Sequence, residues 1–276
     1  MEITGKTSVY CIIGYPVEHS FSPPMQNAAF RSTGIDAVYI PFQVKRGDLH
    51  TAINSFRALG IRGANVTVPH KSDVIPLLDE VDGEAAFIGA VNTIVNKDGH
   101  LIGYNTDGRG FMESLREAGI VVKGKKVLIL GAGGASRAVS FYVARAGGRV
   151  FIHNRTKSRA ISLGEDLMKE NLSVEIVDSQ GDVIDPEIVI NTTSLGLSSN
   201  DPLPIPPHLL RPGQIICDLI YWDTPLIKEA KNKGLRTLNG LGMLLWQGVL
   251  AFKLWTGVEP PVDLMREKLI EMTQNI

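Results

Sequence analysis

Lys125-Lys126-Val127-Leu128-Ile129-Leu130-Gly131-Ala132-Gly133-Gly134-Ala135-Ser136-Arg137-Ala138 puts a glycine-rich turn between an apolar run and the start of a helix. Val127, Leu128, Ile129 and Leu130 read as a strand buried on both faces. The small residues that follow permit a tight turn and a close backbone approach to a ligand. The helix behind them offers N–H groups and the positive end of its dipole. Strand, turn and helix in that order are what a dinucleotide pyrophosphate needs; the glycines alone carry little weight. Ser136 stands where a third glycine or alanine is usual, and it is small enough to keep helix and strand close. The stretch therefore predicts the opening of a Rossmann-type α/β domain.

Downstream, residues 150–153, 174–177, 188–190 and 215–219 are further candidate strands, so the alternating αβ series continues. The first of these ends in His153-Asn154-Arg155-Thr156, without the acid that grips the ribose 2′-hydroxyl of NAD. Arg155 takes its place and Arg159 lies one helical turn on, so two cations flank the position of a 2′-phosphate. NADP is the expected cofactor. Residues 201–207 form a proline-rich rigid connection. Residues 241–255 and 262–272 read as helices, and periodicity alone does not assign them to a domain.

Upstream, residues 9–13 read as a strand, and Ser22-Pro23 predicts an N-cap with proline at the first helical position, in a helix that stops at Gly34. A second βα unit follows, with a strand at 37–44, a helix at 48–59 ended by Gly60, and then a third strand at 64–68. This alternation implies a mostly parallel sheet covered by helices. Residues 91–95 and 101–104 flank Asn96-Lys97-Asp98-Gly99, whose Asp-Gly predicts a hairpin forming an antiparallel edge of that sheet. A helix over 107–118 would carry the chain onward.

The composition narrows the function classes. With 276 residues, the chain suits two modest domains. A formal charge of −1 with 21% charged residues lacks the field of a nucleic-acid binder. The N-terminal residues lack the basic and apolar runs of a secretory signal, and the most apolar stretch, residues 241–255, is interrupted and too short to span a bilayer. Cys11 and Cys217 are the only cysteines, without metal-ligand spacing, so a reducing, cytoplasmic setting without a metal is expected. Carbonyl chemistry would then use side-chain acids and an organic cofactor.

Polar residues gather at predicted strand ends and loops of the first half, where an open parallel sheet binds its ligand. Ser20 and Ser22 offer two hydroxyls to an anion; Asn65 and Thr67 alternate along one strand and share a face; Lys71, Asn92 and Asp107 follow. His19-Ser20-Phe21-Ser22-Pro23, Asn65-Val66-Thr67-Val68-Pro69-His70-Lys71, Gly89-Ala90-Val91-Asn92-Thr93, Gly103-Tyr104-Asn105-Thr106-Asp107-Gly108, the glycine turn, Asn154-Arg155-Thr156 and Gly242-Met243-Leu244-Leu245-Trp246-Gln247 together resemble the shikimate dehydrogenase family in order and spacing. The resemblance runs from about Val9 past Gln247.

It implies a reversible NADPH-dependent reduction of 3-dehydroshikimate to shikimate in chorismate biosynthesis. Lys71 would be the general acid and base, with Asp107 as the acidic partner that orients it. Ser20 and Ser22 would bind the substrate carboxylate, and Asn65, Thr67, Asn92, Tyr221 and Gln247 would complete the ring's hydrogen bonds. Gly131, Ala132, Gly133, Gly134, Ala135, Asn154, Arg155, Thr156, Arg159, Leu219 and Gly240 would contact NADP. It also implies that the C-terminal helices return to the first domain. The expected organisation is a substrate domain over 1–105 rejoined by 241–276, and an NADP domain over 106–240. The alternative on the same fold is a quinate/shikimate dehydrogenase of broader substrate or cofactor use. His19, His70 and His153 flank motif residues and read as structural, and the assembly is expected to be a monomer or homodimer.

Overall fold

The computed structural model describes residues 2–183, 185–198 and 200–274. They form two compact units, one running to Thr106 and resuming at Leu245, the other comprising Asp107–Leu244.

The first unit opens with β1 (Ser8–Gly14), α1 (Ser22–Thr33), β2 (Ala37–Gln43), α2 (Leu49–Ala58) and β3 (Gly63–Val66). After these come β4 (Glu80–Val81), α3 (Gly83–Ile88), β5 (Thr93–Lys97) and β6 (His100–Tyr104). The sheet order is β2-β1-β3-β5-β6-β4, with β5 antiparallel to both its neighbours and the remaining pairs parallel. The hairpin between β5 and β6 forms as expected, with Asp98 and Gly99 at φ +52° and +97°, the left-handed conformations that a two-residue turn needs. It is not the sheet's edge, however, because β4 pairs outside β6. Two residues are too few to show a period of two, so β4 leaves no trace in the sequence pattern.

The start of α1 also differs from the expectation. Phe21 is the N-cap and Ser22 is already helical; the hydroxyl of Ser20 accepts the Ser22 N–H at 3.3 Å. The capping oxygen thus comes from the serine two residues earlier. Gly34 ends the helix at φ +71°, as read from the sequence.

The second unit contains α4 (Asp107–Glu117), β7 (Lys126–Leu130), α5 (Gly134–Arg145), β8 (Arg149–His153), α6 (Lys157–Lys169) and β9 (Val174–Ile176). It continues with β10 (Ile188–Asn191), β11 (Ile215–Asp218), α7 (Pro225–Asn232) and β12 (Arg236–Leu238). All its strands are parallel, in the order β9-β8-β7-β10-β11-β12. Counted within the unit this is 3-2-1-4-5-6, the doubly wound Rossmann order, whose direction reverses beside β7. The short edge strand β12 was not legible, whereas Thr224-Pro225 carries a clear start signal for α7: the threonine hydroxyl accepts the Ile227 N–H.

The chain ends with α8 (Leu241–Thr256) and α9 (Val262–Thr273). From Leu245 onward these helices pack with the first unit. The Trp255 indole donates to the Ile94 carbonyl at 2.9 Å, and the rings of Tyr10, Phe30, Phe252 and Trp255 form a continuous aromatic layer with centroids 5.0–5.2 Å apart. Gly63, without a side chain, leaves room for that indole.

Strand β2 is an edge, and its outward backbone would otherwise invite pairing with another chain. Asn27 on α1 covers it: its Nδ2 donates to the Tyr39 carbonyl at 2.8 Å and its Oδ1 accepts the Tyr39 N–H at 2.9 Å, so the side-chain amide stands in for a neighbouring strand. Asn27→Ala leaves both Tyr39 groups without these partners and is expected to destabilise the protein by about 2–3 kcal/mol in urea unfolding; a change within experimental error would show that water replaces the amide at no cost.

Candidate active site

In the first unit the candidate residues gather at the end of β3, the start of β5 and the turns around them. Asn65 is buried with its amide anchored on both sides: Oδ1 accepts the Tyr39 hydroxyl at 2.7 Å, and Nδ2 donates to the Asn92 carbonyl at 3.1 Å and the Thr93 hydroxyl at 3.2 Å. Asn92 is equally buried, its Oδ1 accepting the Thr106 N–H at 2.8 Å while Nδ2 donates to the Thr106 hydroxyl at 2.9 Å. The half-buried Lys71 follows on a turn whose backbone is tied to this cluster, because its carbonyl accepts the Val91 N–H at 2.7 Å. Thr67 leaves β3 with its N–H on the Ile13 carbonyl at 2.9 Å, and its methyl passes where Gly14 has no side chain.

Ser22 is buried at the start of α1, where its side chain lowers the pKa of the Tyr39 phenol, and Ser20 is half-buried. Burial pushes the Tyr39 phenol well above its ordinary pKa, so it remains a proton donor. His70 is fully buried with Nε2 2.6 Å from the Val44 carbonyl, a structural placement, and His19 is exposed. Gln247 is buried on α8; the carbonyl of the next residue, Gly248, accepts the Gln26 amide of α1 at 3.0 Å. Asp107 and Tyr221 belong to the second unit, where Asp107 is buried at the opening of α4 and Tyr221 meets Trp222 edge-on at 5.0 Å.

The second unit presents the glycine turn at the carboxyl end of β7. Gly131 has φ +122°, its N–H is held by the His153 carbonyl at 2.8 Å, and a side chain there would run into the Thr192 hydroxyl. Fully buried Ser136 donates its hydroxyl to the Gly131 carbonyl at 2.6 Å and so fastens the turn. Ala132, Gly134 and Ala135 are partly exposed, and Gly133, the exposed N-cap of α5, faces open space with no side chain capping the helix. A helix start left uncapped at the end of a central strand fits an anionic pyrophosphate.

After β8, the Asn154 amide donates to the Thr156 carbonyl at 2.8 Å and shapes the turn. Arg155, Thr156 and Arg159 are exposed there, and among the described residues neither guanidinium is paired with a carboxylate, whereas Lys157 between them pairs with Asp178 at 2.6 Å. Two uncommitted cations fit a phosphate on the ribose. Leu219 is held by its N–H on the Asn191 carbonyl at 3.0 Å, and Gly240 by its N–H on the Ile220 carbonyl at 2.9 Å. Among the described residues no helix is long and apolar enough to cross a membrane, and no cluster of metal-binding side chains occurs.

Comparison with known proteins fits this geometry. Residues 12–94 match the shikimate dehydrogenase substrate binding domain, 114–197 the shikimate/quinate 5-dehydrogenase family and 240–270 the shikimate 5′-dehydrogenase C-terminal domain. A shikimate dehydrogenase (NADP(+)) of Moorella thermoacetica is 49% identical over 98% of this chain and 95% of its own. The chain belongs to the shikimate dehydrogenase family. The crystal structure of the Aquifex aeolicus shikimate dehydrogenase, at 45% identity, aligns with a TM-score of 0.93 over 97% of this chain and 99% of that one. A Thermus thermophilus shikimate 5-dehydrogenase in complex with NADP(H) and shikimate, 37% identical, aligns at 0.89 over 96% of this chain and 100% of its own.

In this shikimate dehydrogenase fold, several polar groups beside the candidate residues escaped the sequence reading. Thr93 and Thr106 lie inside quoted motifs without having been assigned a role, and Tyr39 shows no signal at all. Asp218, an acid closing the apolar run of β11, was a signal left unread. It is almost fully buried and accepts the Ile220 N–H at 3.0 Å, the Asn191 amide at 3.1 Å and the Thr224 hydroxyl at 2.8 Å. It therefore holds the segment that carries Leu219 and Tyr221.

Burial pushes the Asp218 carboxyl up from 3.8 to about 6, with those three hydrogen bonds pulling the other way. A raised acid favours folding in full below its unfolded value, and that contribution is lost as the pH rises through about 6. A shift of this size corresponds to about 3 kcal/mol. Asp218→Asn cannot titrate, so its stability deficit against the parent is expected to be larger near about pH 4 than near about pH 7.5, by up to about 3 kcal/mol. Urea unfolding of both proteins at each pH measures this, and a pH-independent deficit would leave the buried carboxylate without that role.

Proposed function

We propose that this protein catalyses the reversible NADPH-dependent reduction of 3-dehydroshikimate to shikimate, the step of that name in aromatic amino acid biosynthesis. The observation that carries this is the 49% identity to an NADP(+)-dependent shikimate dehydrogenase along nearly the whole of both chains. The uncapped start of α5, and Arg155 and Arg159, which pair with no carboxylate among the described residues, support the choice of cofactor independently.

The glycine turn and the Arg155–Arg159 segment of the second unit would hold NADPH, which would supply the hydride for the ring carbonyl. Charge then develops on the carbonyl oxygen; the Lys71 ammonium stabilises it and gives up a proton, forming the alcohol. In the reverse direction the same amine accepts the proton. Asp107 orients the lysine, Ser20 and Ser22 receive the carboxylate, and Asn65, Thr67, Asn92, Tyr221 and Gln247 hold the ring hydroxyls. Arg155 and Arg159 grip the 2′-phosphate, with Asn154 and Thr156 shaping that turn, while Gly131, Ala132, Gly133, Gly134 and Ala135 receive the pyrophosphate and Leu219 and Gly240 line the rest of the cofactor. A cytoplasmic monomer or homodimer is the matching physiological state.

Steady-state assays of shikimate and quinate, each with NADP and NAD, test the reading, with shikimate and NADP expected to give the highest kcat/KM. Equal or better turnover of quinate with NAD would assign the chain to the broader quinate/shikimate activity instead. Lys71→Ala is expected to lower kcat by about 10²- to 10⁴-fold with a much smaller change in KM, because the ammonium matters chiefly to charge formed in the transition state. An unchanged kcat would remove Lys71 from the proton transfer.

A further inference from the structure

The two buried asparagine amides between Tyr39 and Thr106 each have only one consistent orientation, because two backbone groups impose it. At one end the Thr106 N–H can only donate, so the Asn92 atom facing it must be Oδ1, which turns Nδ2 toward the Thr106 hydroxyl. At the other, the Asn92 carbonyl can only accept, so Asn65 must face it with Nδ2. Both hydrogens of that amide are then used, on the Asn92 carbonyl and the Thr93 hydroxyl. The Asn65 Oδ1 is left facing Tyr39, whose hydroxyl donates to it at 2.7 Å.

Tyr39 itself is 1% exposed and lies 26 residues before Asn65, at the centre of the edge strand β2. Its ring is held by Trp255 at 5.9 Å, and its backbone by the Asn27 amide. The phenol is also close enough to Ser22, at the opening of α1, for that side chain to lower its pKa. One buried hydroxyl therefore links a serine proposed to bind the carboxylate with an asparagine proposed to bind the ring.

We infer that Tyr39 is a positioning residue for substrate recognition: with both Nδ2 hydrogens of Asn65 committed to Asn92 and Thr93, its hydroxyl anchors Oδ1 and takes one lone pair, holding the other toward a ring hydroxyl that donates a hydrogen bond. This rests on the shikimate dehydrogenase reading above. Without the phenol, Asn65 keeps its Nδ2 contacts but loses the group that holds its oxygen, and Ser22 loses a buried neighbour.

The test is Tyr39→Phe in the full chain, which removes a single oxygen. KM for shikimate is expected to rise about five- to tenfold, the range for one lost neutral hydrogen bond, with kcat changed less than about threefold and KM for NADP unchanged. Thr93→Val loosens the same amide from its other side, so it should give the same signature. Because both act through one side chain, the double variant should raise KM by less than the product of the two single effects. Thr93→Val also reads the inference should Tyr39→Phe not fold. Wild-type turnover of shikimate is measured in the same series, and its absence would overturn the underlying functional reading. With turnover present, an unchanged KM in either single variant, a loss confined to kcat, or full multiplicativity in the double variant overturns the role of Tyr39.

Discussion

The N–H of Thr106 on the Oδ1 of Asn92, at 2.8 Å, is the bond on which the order of the first unit's polar interior depends. Backbone groups cannot exchange roles, whereas amides and hydroxyls can, so this N–H fixes the sense of Asn92 as the Asn92 carbonyl fixes that of Asn65. The bond also joins distant parts of the chain: Asn92 stands just before β5, and Thr106 is the last residue before α4. Loss of its direction would leave buried donors facing donors, each at a cost of about 1–3 kcal/mol. An apolar interior could be as stable, but it would not hold the oriented acceptors that the proposed recognition of a polyhydroxylated ring requires.

The second unit uses the same device for a different purpose. Asn191 closes β10, and its Oδ1 accepts the Thr193 N–H at 3.1 Å and the Thr193 hydroxyl at 2.7 Å, which leaves Nδ2 to donate to Asp218 at 3.1 Å. Asp218 in turn receives the Ile220 N–H. A backbone group again sets the direction of an asparagine at a strand end, and the polar chain again runs beneath residues proposed to meet a ligand. Both networks stand at sheet ends rather than in sheet centres, because the ladder there runs out of partners and side chains must complete it.

What could be read in the sequence follows from the length scale of each signal. The glycine turn, the strands around it and the Asp98-Gly99 hairpin are local: each conformation is dictated by residues a few positions apart, so order and type emerge from pattern alone. Strand β4 has only two residues, and β12, Arg236-Thr237-Leu238, has a single apolar residue, so neither shows an apolar alternation. Serine before proline is the usual cap pattern and so points to Ser22, whereas the backbone places the N-cap at Phe21 and the accepting oxygen on Ser20. Tyr39 and Asp218 were illegible in their roles for another reason: their decisive partners, Asn65 and Asn191, lie 26 and 27 residues away, brought close by strand order rather than by spacing.

The same distinction explains why the candidate cofactor groups are easier to read than the substrate groups. A phosphate is recognised by charge and by backbone N–H groups, so an arginine after a strand and glycines before a helix suffice, whatever surrounds them. A neutral hydroxylated ring is recognised by the direction of hydrogen bonds, and direction belongs to a network. Asn65 alone could donate or accept; only with Tyr39, Thr93 and Asn92 around it does its free valence become an acceptor. Residue type therefore conveys the class of ligand at the phosphate end of the reaction. At the ring end, the proposed selectivity depends on buried residues that themselves need not touch the substrate.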